Sequence, residues 1–204
     1  MNSKIILLVV IIFSLVNLAG CMTLRNGNQA DNIFPSQENL SKKTVAILSV
    51  KSQASITTDS QTPRKKALNK KINTSVKKMS PNAVFIDSQA SMDILNEGGK
   101  LEVFDKLMTS YDNTGAFDKK LISSLCTALK SDYLLLPKLK VEKMDAVIAK
   151  TFISSLEVML LSKNNSEPVW SGIGDFKRYG AYGLGGTETD EAANELVSLA
   201  FGSQ

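Results

Sequence analysis

The chain has 204 residues, with 24 lysines and arginines against 20 aspartates and glutamates, no histidine and two cysteines. The absence of histidine excludes every His-dependent triad and every His-containing zinc site, and it removes the commonest general base. A charged fraction of 22% and an apolar fraction of 43% belong to a folded domain rather than a disordered chain.

Lys4 supplies a basic start, Ile5 to Val16 an almost unbroken apolar run, and Leu18-Ala19-Gly20-Cys21 follows. A basic n-region, a short apolar core and small residues before a cut describe a secretory signal peptide. A bilayer span needs about 20 apolar residues, so this run is too short for one. Leu18 to Cys21 fits the bacterial lipobox. Residues 1–20 are therefore assigned to a lipoprotein signal peptide and Cys21 to lipidation as the mature N-terminus. Several acyl chains such as palmitate on one cysteine hold a protein to a membrane where a single chain does not. Met22 stands where an aspartate commonly signals inner-membrane retention, which places the protein, in a Gram-negative host, on the periplasmic face of the outer membrane. Residues 21–42 are polar and aperiodic, with Asn26-Gly27 and Pro35, and read as the lipidated cysteine and a flexible tether.

The domain is assigned to residues 43–204. Thr44 to Val50 is a β-branched run that reads as a buried strand, and Ser52 to Gln61 as a polar loop. Thr62-Pro63 opens a helix with an N-cap and a proline at its first position, and Leu68, Ile72, Val76 and Met79 stripe it. After Pro81-Asn82, Ala83 to Ile86 reads as a second strand, so a right-handed parallel crossover is predicted. Ser88 to Leu95 is a short helix ended by Asn96-Glu97-Gly98-Gly99. Leu101, Phe104, Leu107, Met108 and Tyr111 stripe another, and Asp112 to Gly115 is a turn. Phe117, Leu121, Ile122, Leu125, Cys126 and Leu129 mark the strongest amphipathic helix, with Cys126 on its apolar face.

Tyr133 to Leu136 begins a strand, and beyond Pro137 the alternation of Leu139 and Val141 with Lys138, Lys140 and Glu142 gives it one wet face. Thr151 to Leu161 is a long strand that returns through a polar loop, Ser162 to Glu167, into Val169 to Ile173 as an antiparallel meander. Leu139 to Phe152 and Phe176 to Thr187 are read as connectors. Thr187 with Asp190 caps a closing helix whose inner stripe is Ala193, Leu196, Val197, Ala200 and Phe201. The fold class is α/β: a single domain with a mixed β-sheet, an N-terminal strand-helix-strand crossover and a C-terminal antiparallel meander, packed by amphipathic helices.

Val45 to Leu48 after the tether, Leu121 to Leu129 running into Ser131-Asp132-Tyr133-Leu134-Leu135, the strand Ser155 to Leu160, and Pro168-Val169-Trp170-Ser171-Gly172 occur in that order behind a lipobox. In this the chain resembles the CsgG/LpoB-like family of bacterial envelope lipoproteins, of the curli-secretion and penicillin-binding-protein-activator type. The resemblance covers most of residues 43–202 and implies an envelope-assembly role. It departs from the channel-forming members, because the two connectors have no room for membrane-spanning hairpins beside the core strands.

Two stretches are candidate binding surfaces for a partner or a membrane. Arg64, Lys65, Lys66, Lys70, Lys71, Lys77 and Lys78 lie on one helix, and no acidic residue occurs from Gln61 to Ser80. Such a face is a solvated surface, or it binds anionic headgroups, an acidic protein or an anionic envelope polymer. Tyr179 and Tyr182 lie in a glycine-rich stretch, Arg178 to Gly186, that is a plain connector or a recognition loop with two stacking rings. Its spacing fits no Rossmann fingerprint or P-loop. Trp170 reads as sheet packing, and Asp105, Asp112 and Asp118 as caps and solubilising charges. No nucleophile–base pattern, catalytic residue, metal site or cofactor is expected.

The leading expectation is a non-enzymatic lipoprotein that binds an envelope protein as an adaptor in cell-wall synthesis, secretion or surface-structure biogenesis. Its partners are the bilayer, through acylated Cys21, and an envelope protein; nucleic acid is excluded by compartment. A self-assembling component of a CsgG-related secretion complex without pore hairpins is the alternative. A cell-wall-fragment-binding or carboxylate-dependent hydrolytic domain is the weaker one.

Overall fold

The structure, a computed structural model, describes residues 23–24, 34, 40–54, 61–145, 149–181 and 189–202. Within them, side chains are described at 34, 40–52, 65–140, 154–176 and 193–202. The strands are β1 (Thr23–Leu24), β2 (Thr44–Ile47), β3 (Lys51–Ala54), β4 (Val84–Ile86), β5 (Tyr133–Asp145), β6 (Ala149–Ser162) and β7 (Pro168–Ala181). The helices are α1 (Gln61–Met79), α2 (Ser88–Glu97), α3 (Leu101–Thr114), α4 (Lys119–Ala128) and α5 (Thr189–Phe201).

All the strands belong to one mixed sheet in the order β4-β2-β5-β6-β7-β1, with β3 also paired to β5. β2 is parallel to β4 and to β5, which is the expected crossover through α1. From β5 onward the pairing is antiparallel, β5 with β6 and β6 with β7, which is the expected meander.

Because successive strand residues alternate faces, the sheet builds two cores. Val45, Ile47, Leu135, Leu139, Leu156, Val158, Leu160, Trp170 and Phe176 meet Leu68, Ile72 and Val76 of α1 and Ala193, Leu196, Val197, Ala200 and Phe201 of α5 on one face. Ala46, Leu48, Leu134, Leu136, Met159 and Leu161 meet Leu95 of α2, Phe104, Leu107 and Met108 of α3, and Ile122, Leu125 and Cys126 of α4 on the other. Trp170 stacks on Phe201 at 5.3 Å and meets the edge of Phe34 at 4.8 Å. Phe34 and Leu40, both in the segment assigned to the tether, are buried in this core, and Thr23–Leu24 of that segment pairs with β7.

Several boundaries differ from those read in the sequence. The polar loop after Val50 contains β3, paired in parallel with Lys138 to Val141. Leu139 to Phe152 is mostly ladder rather than connector: β5 and β6 pair out to Asp145 and Lys150. β7 likewise continues to Ala181 opposite Ala149, so the first residues of the glycine-rich stretch are strand. In all three places a neighbouring backbone supplies the hydrogen bonds, which local propensity does not reveal. The turn read at Asp112 is the last turn of α3, which closes on a left-handed Gly115. α1 begins at Gln61, one residue before the N-cap read at Thr62.

β2 and β3 lie end to end along the same side of β5. Ile47 is opposite Leu135 and Lys51 opposite Lys138, so four steps on one side match three on the other. The extra residue switches the alternation, placing Ile47 in the first core while Lys51 falls on the second face. Pro137, which has no N–H to give, lies at this break. Asn69 of α1 repairs it: its Oδ1 accepts from the N–H of Val50 at 2.9 Å, and its Nδ2 donates to Ser49 Oγ at 2.9 Å. One turn on, Asn73 Nδ2 donates to Ser88 Oγ, and its Oδ1 accepts from the Ser88 N–H.

Candidate functional site

α1 is held by what it buries. Leu68, Ile72 and Val76 are fully buried, and burying three such side chains contributes on the order of 6 kcal/mol. Asn69 and Asn73 lock the same side of the helix to the strand break and to the start of α2. The outward side carries Lys66, Lys70, Lys77 and Lys78, all exposed, with Lys71 half-buried. Lys66 and Lys70 are one turn apart, where like charges cost a helix about 0.2–0.5 kcal/mol. Lys77 and Lys78 occupy the last turn, where cations suit the helix dipole. Among the described residues none of these five is ion-paired. The result is a rigid cationic face kept at some cost to the helix itself.

Lys65 belongs to a different neighbourhood. Burial holds its ammonium below the usual lysine range, Lys51 lowers it further, and Asp105 acts in the opposite sense. Lys65 is thus at the edge of the helix near the β3–α3 boundary, apart from the outward lysines. Arg64 is in the first turn of α1 and Tyr179 in β7 opposite Thr151, both placed by backbone alone. Tyr182 and Cys21 lie outside the described residues. The recognition loop read around Tyr179 and Tyr182 therefore lies only partly within the described residues, and Tyr179 is six ladder positions beyond Lys138, away from α1.

A second polar constellation lies on the opposite face, where the helical layer ends. Lys51, Lys138, Glu157 and Ile173 are successive cross-strand partners on β3, β5, β6 and β7. α3 meets this row: Asp105 pairs with Lys51, and Asp112 pairs with Lys138, whose side chain is only 15% exposed. Tyr111 donates its hydroxyl to Glu157 Oε1 at 2.8 Å, stacks on Phe117 at 4.2 Å, and receives the Lys138 ammonium over its ring at 4.9 Å. Burial and then the Glu157 carboxylate push the Tyr111 hydroxyl well above the usual phenol range. Two ammonium groups and three carboxylates thus join α3 to three strands. Sequence reasoning assigned Asp105 and Asp112 to capping and solubility. The wet-face alternation at Lys138 was visible, but the partners that meet it come from distant segments.

Asp118 does cap α4, accepting from the N–H groups of Lys120 and Leu121. Asp132 fastens the start of β2 to β5, its carboxylate accepting from the Thr44 N–H at 2.9 Å. Cys126 is buried as expected, and burial pushes its thiol up to about 11, which leaves it protonated and unreactive. Among the described residues no group of three or more cysteine, aspartate or glutamate side chains is arranged to hold a metal. Nor is any helix long and apolar enough to cross a membrane.

The chain matches no family model, and no curated protein matches it. Solved structures do resemble it at low identity. The lipoprotein GNA1162 from Neisseria meningitidis is 9% identical, with 74% of this chain and 91% of that one covered and a TM-score of 0.45. A PelC dodecamer from Paraburkholderia phytofirmans is 11% identical, with 87% and 93% covered and a TM-score of 0.41. The LpoB C-terminal domain from Escherichia coli is 12% identical, with 67% and 83% covered and a TM-score of 0.38. Likeness at this level says nothing of what the chain does, and function must be argued from its own surfaces.

Proposed function

We propose that this protein is a lipid-anchored lipoprotein of the bacterial envelope, held by acylated Cys21 to the periplasmic face of the outer membrane. Its domain is a non-enzymatic adaptor that binds an acidic surface of an envelope protein through α1. The observation that carries this reading is the outward face of α1: Lys66, Lys70, Lys77 and Lys78 are exposed and unpaired among the described residues, on a helix fixed by its buried stripe and by Asn69 and Asn73. A rigid, one-signed face presents charge without the ordering cost of a flexible segment, and complementary charge speeds and orients docking. The resemblance to CsgG/LpoB-like lipoproteins supports cell-wall synthesis, secretion or surface-structure assembly as the setting.

A photo-crosslinking amino acid at Lys70 in living cells, with the captured protein identified, tests the reading. An acidic envelope protein is expected, and its capture should be lost when Lys66, Lys77 and Lys78 are all changed to glutamate in a protein that still folds. Capture that survives the charge reversal refutes docking through this face. A second reading, self-assembly, is favoured by the outer edge of β7. There the two-residue β1, paired with Lys177 and Arg178, is the described strand that borders β7 on its outer side. Light scattering of the lipidated protein in detergent separates the two, since a monomer at all concentrations removes the second.

A further inference from the structure

The three long strands run well past α3. From Lys138, which pairs with Asp112 of α3, the ladder continues seven residues to Asp145, or about 23 Å at strand spacing. β6 and β7 keep pace, with Lys150 opposite Asp145 and Gly180 opposite Lys150. β1 joins at this far end. Thr23 is opposite Arg178, which is opposite Phe152, which is opposite Lys143. Cys21 precedes Thr23 by two residues, a reach of at most about 7 Å. Whatever is attached to Cys21 is therefore attached beside the end of the ladder, not at the end of a long free tether.

The residues placed at this end are mostly basic. Lys143, Lys150, Lys177 and Arg178 occupy its register positions, against Glu142 and Asp145. The lysines of α1 from Lys70 to Lys78 lie well behind it. A crossover between parallel β2 and β4 must return antiparallel to them, so α1 starts at its ladder-end side and runs away. Asn69 is level with the strand break at Ser49 and Val50, already behind Lys138. From Asn69 to Lys78 the helix recedes a further ~14 Å. Charges separated by more than about 8 Å are largely screened at physiological salt.

The geometry points to the far end of the β5–β6–β7 ladder as the surface that apposes the membrane. It would take anionic phospholipid headgroups at the positions of Lys143, Lys150, Lys177 and Arg178, and stand the domain upright with the lysines of α1 out of the bilayer's reach. This rests on the reading of Cys21 as the lipid anchor, and it decides between the two uses open to α1: that face is left for a protein, not for lipid. The strap made by β1 is what turns an anchor into an orientation, because it ties the attachment point to one end of the sheet.

The test uses the full chain, expressed with its anchor and reconstituted into vesicles of phosphatidylethanolamine and phosphatidylglycerol that carry a headgroup nitroxide. Environment-sensitive fluorophores are placed on Thr151→Cys, at the ladder end, and on Lys77→Cys, on α1. Quenching several-fold stronger at position 151 than at 77 is expected. That difference should collapse when Lys143, Lys150, Lys177 and Arg178 are changed to glutamate, with Trp170 emission confirming the fold. Equal quenching at both positions, stronger quenching at 77, or quenching at 151 that ignores the charge reversal overturns the proposal. The mass of the N-terminal peptide reports the anchor separately. If it carries no lipid, the anchor reading fails. Salt-sensitive quenching at 151 in the unlipidated chain then sustains headgroup binding by the ladder end, and its absence overturns that as well.

Discussion

Replacing Gly172 with alanine should cost about 3–5 kcal/mol, because at this point α5 lies directly on the backbone of β7. An ideal Cβ at Gly172 would sit 1.9 Å from the carbonyl oxygen of Ala200 and 2.8 Å from the Trp170 ring. Ordinary contact begins at about 3.4 Å, so one partner must yield by roughly 1.5 Å. Gly174 is nearly as close, 2.3 Å from the Leu196 carbonyl, which means that the obstacle is a helix backbone rather than a movable side chain. Backing the helix away opens a gap beneath Ala193, Leu196, Val197, Ala200 and Phe201. A gap of even 1 Å forfeits up to about half of the dispersion well at each contact. Summed over five residues, that reaches the upper part of the overpacking range or beyond it, out of a typical domain stability of about 5–15 kcal/mol. Urea unfolding followed by the fluorescence of Trp170, the chain's single tryptophan, measures it. Ser171→Ala, on the exposed side of the same strand, is the control and should change stability by less than about 0.5 kcal/mol. A Gly172→Ala protein as stable as the control would refute the close seating of α5.

Three further outcomes are expected from the same unfolding assay. Asn69→Ala should lose about 1–3 kcal/mol, since it leaves the buried N–H of Val50 without an acceptor; no loss would mean another group takes its place. Lys138→Met should lose about 3 kcal/mol by leaving Asp112 unpaired and poorly solvated, and adding Asp112→Leu should recover most of it; a double variant no better than the single would refute the pairing. Cys126 binds its proton more tightly when folded than unfolded, so its contribution is complete below about pH 9 and is lost as pH rises through 11. Stability should therefore fall more steeply over that window in the wild type than in Cys126→Ala, by about 2–3 kcal/mol in all, and parallel curves would count against it.

What could be read from the sequence was what local chemistry controls. The stripe Leu68, Ile72, Val76 foretold which side of α1 is buried and so where its lysines stand, and Cys126 and Trp170 are packed as their surroundings implied. Strand length was only partly legible: the alternation through Lys140 and Glu142 reads as strand, but Lys143 and Asp145 look like loop residues, yet they are strand because β6 pairs with them across the ladder. The contacts of Asp105 and Asp112 were hidden for a related reason. Their lysine partners come from β3 and β5, and no spacing along the chain announces a meeting made by a β-break at Val50 and a helix end at Thr114. The glycines of β7 were equally silent, because a helix more than twenty residues later is what demands them.

The charged row at Lys51, Lys138 and Glu157 has a physical reason rooted in the sheet's uneven cover. α1 and α5 between them reach from β2 to β7 on one face, so that face is apolar from Val45 to Phe176. On the other face α2, α3 and α4 cover β4, β2, β5 and the near part of β6, while Val169, Ser171 and Ile173 of β7 are exposed. Where α3 ends, the sheet passes from buried to wet within one strand spacing, and an apolar side chain there would leave the cover ragged. Lys138 suits the edge, with its ammonium both over the Tyr111 ring and paired with Asp112. Glu157 suits the next step out, satisfied by the Tyr111 hydroxyl. The boundary thus fixes α3 to the strands by directional bonds where packing alone would let it slide. That anchorage lies at the level from which the ladder projects past α3, so the ladder end and the lysine face of α1 are carried by one braced body. The lipid-anchored adaptor proposed above requires such a body if an orientation set at the membrane is to determine where a partner docks.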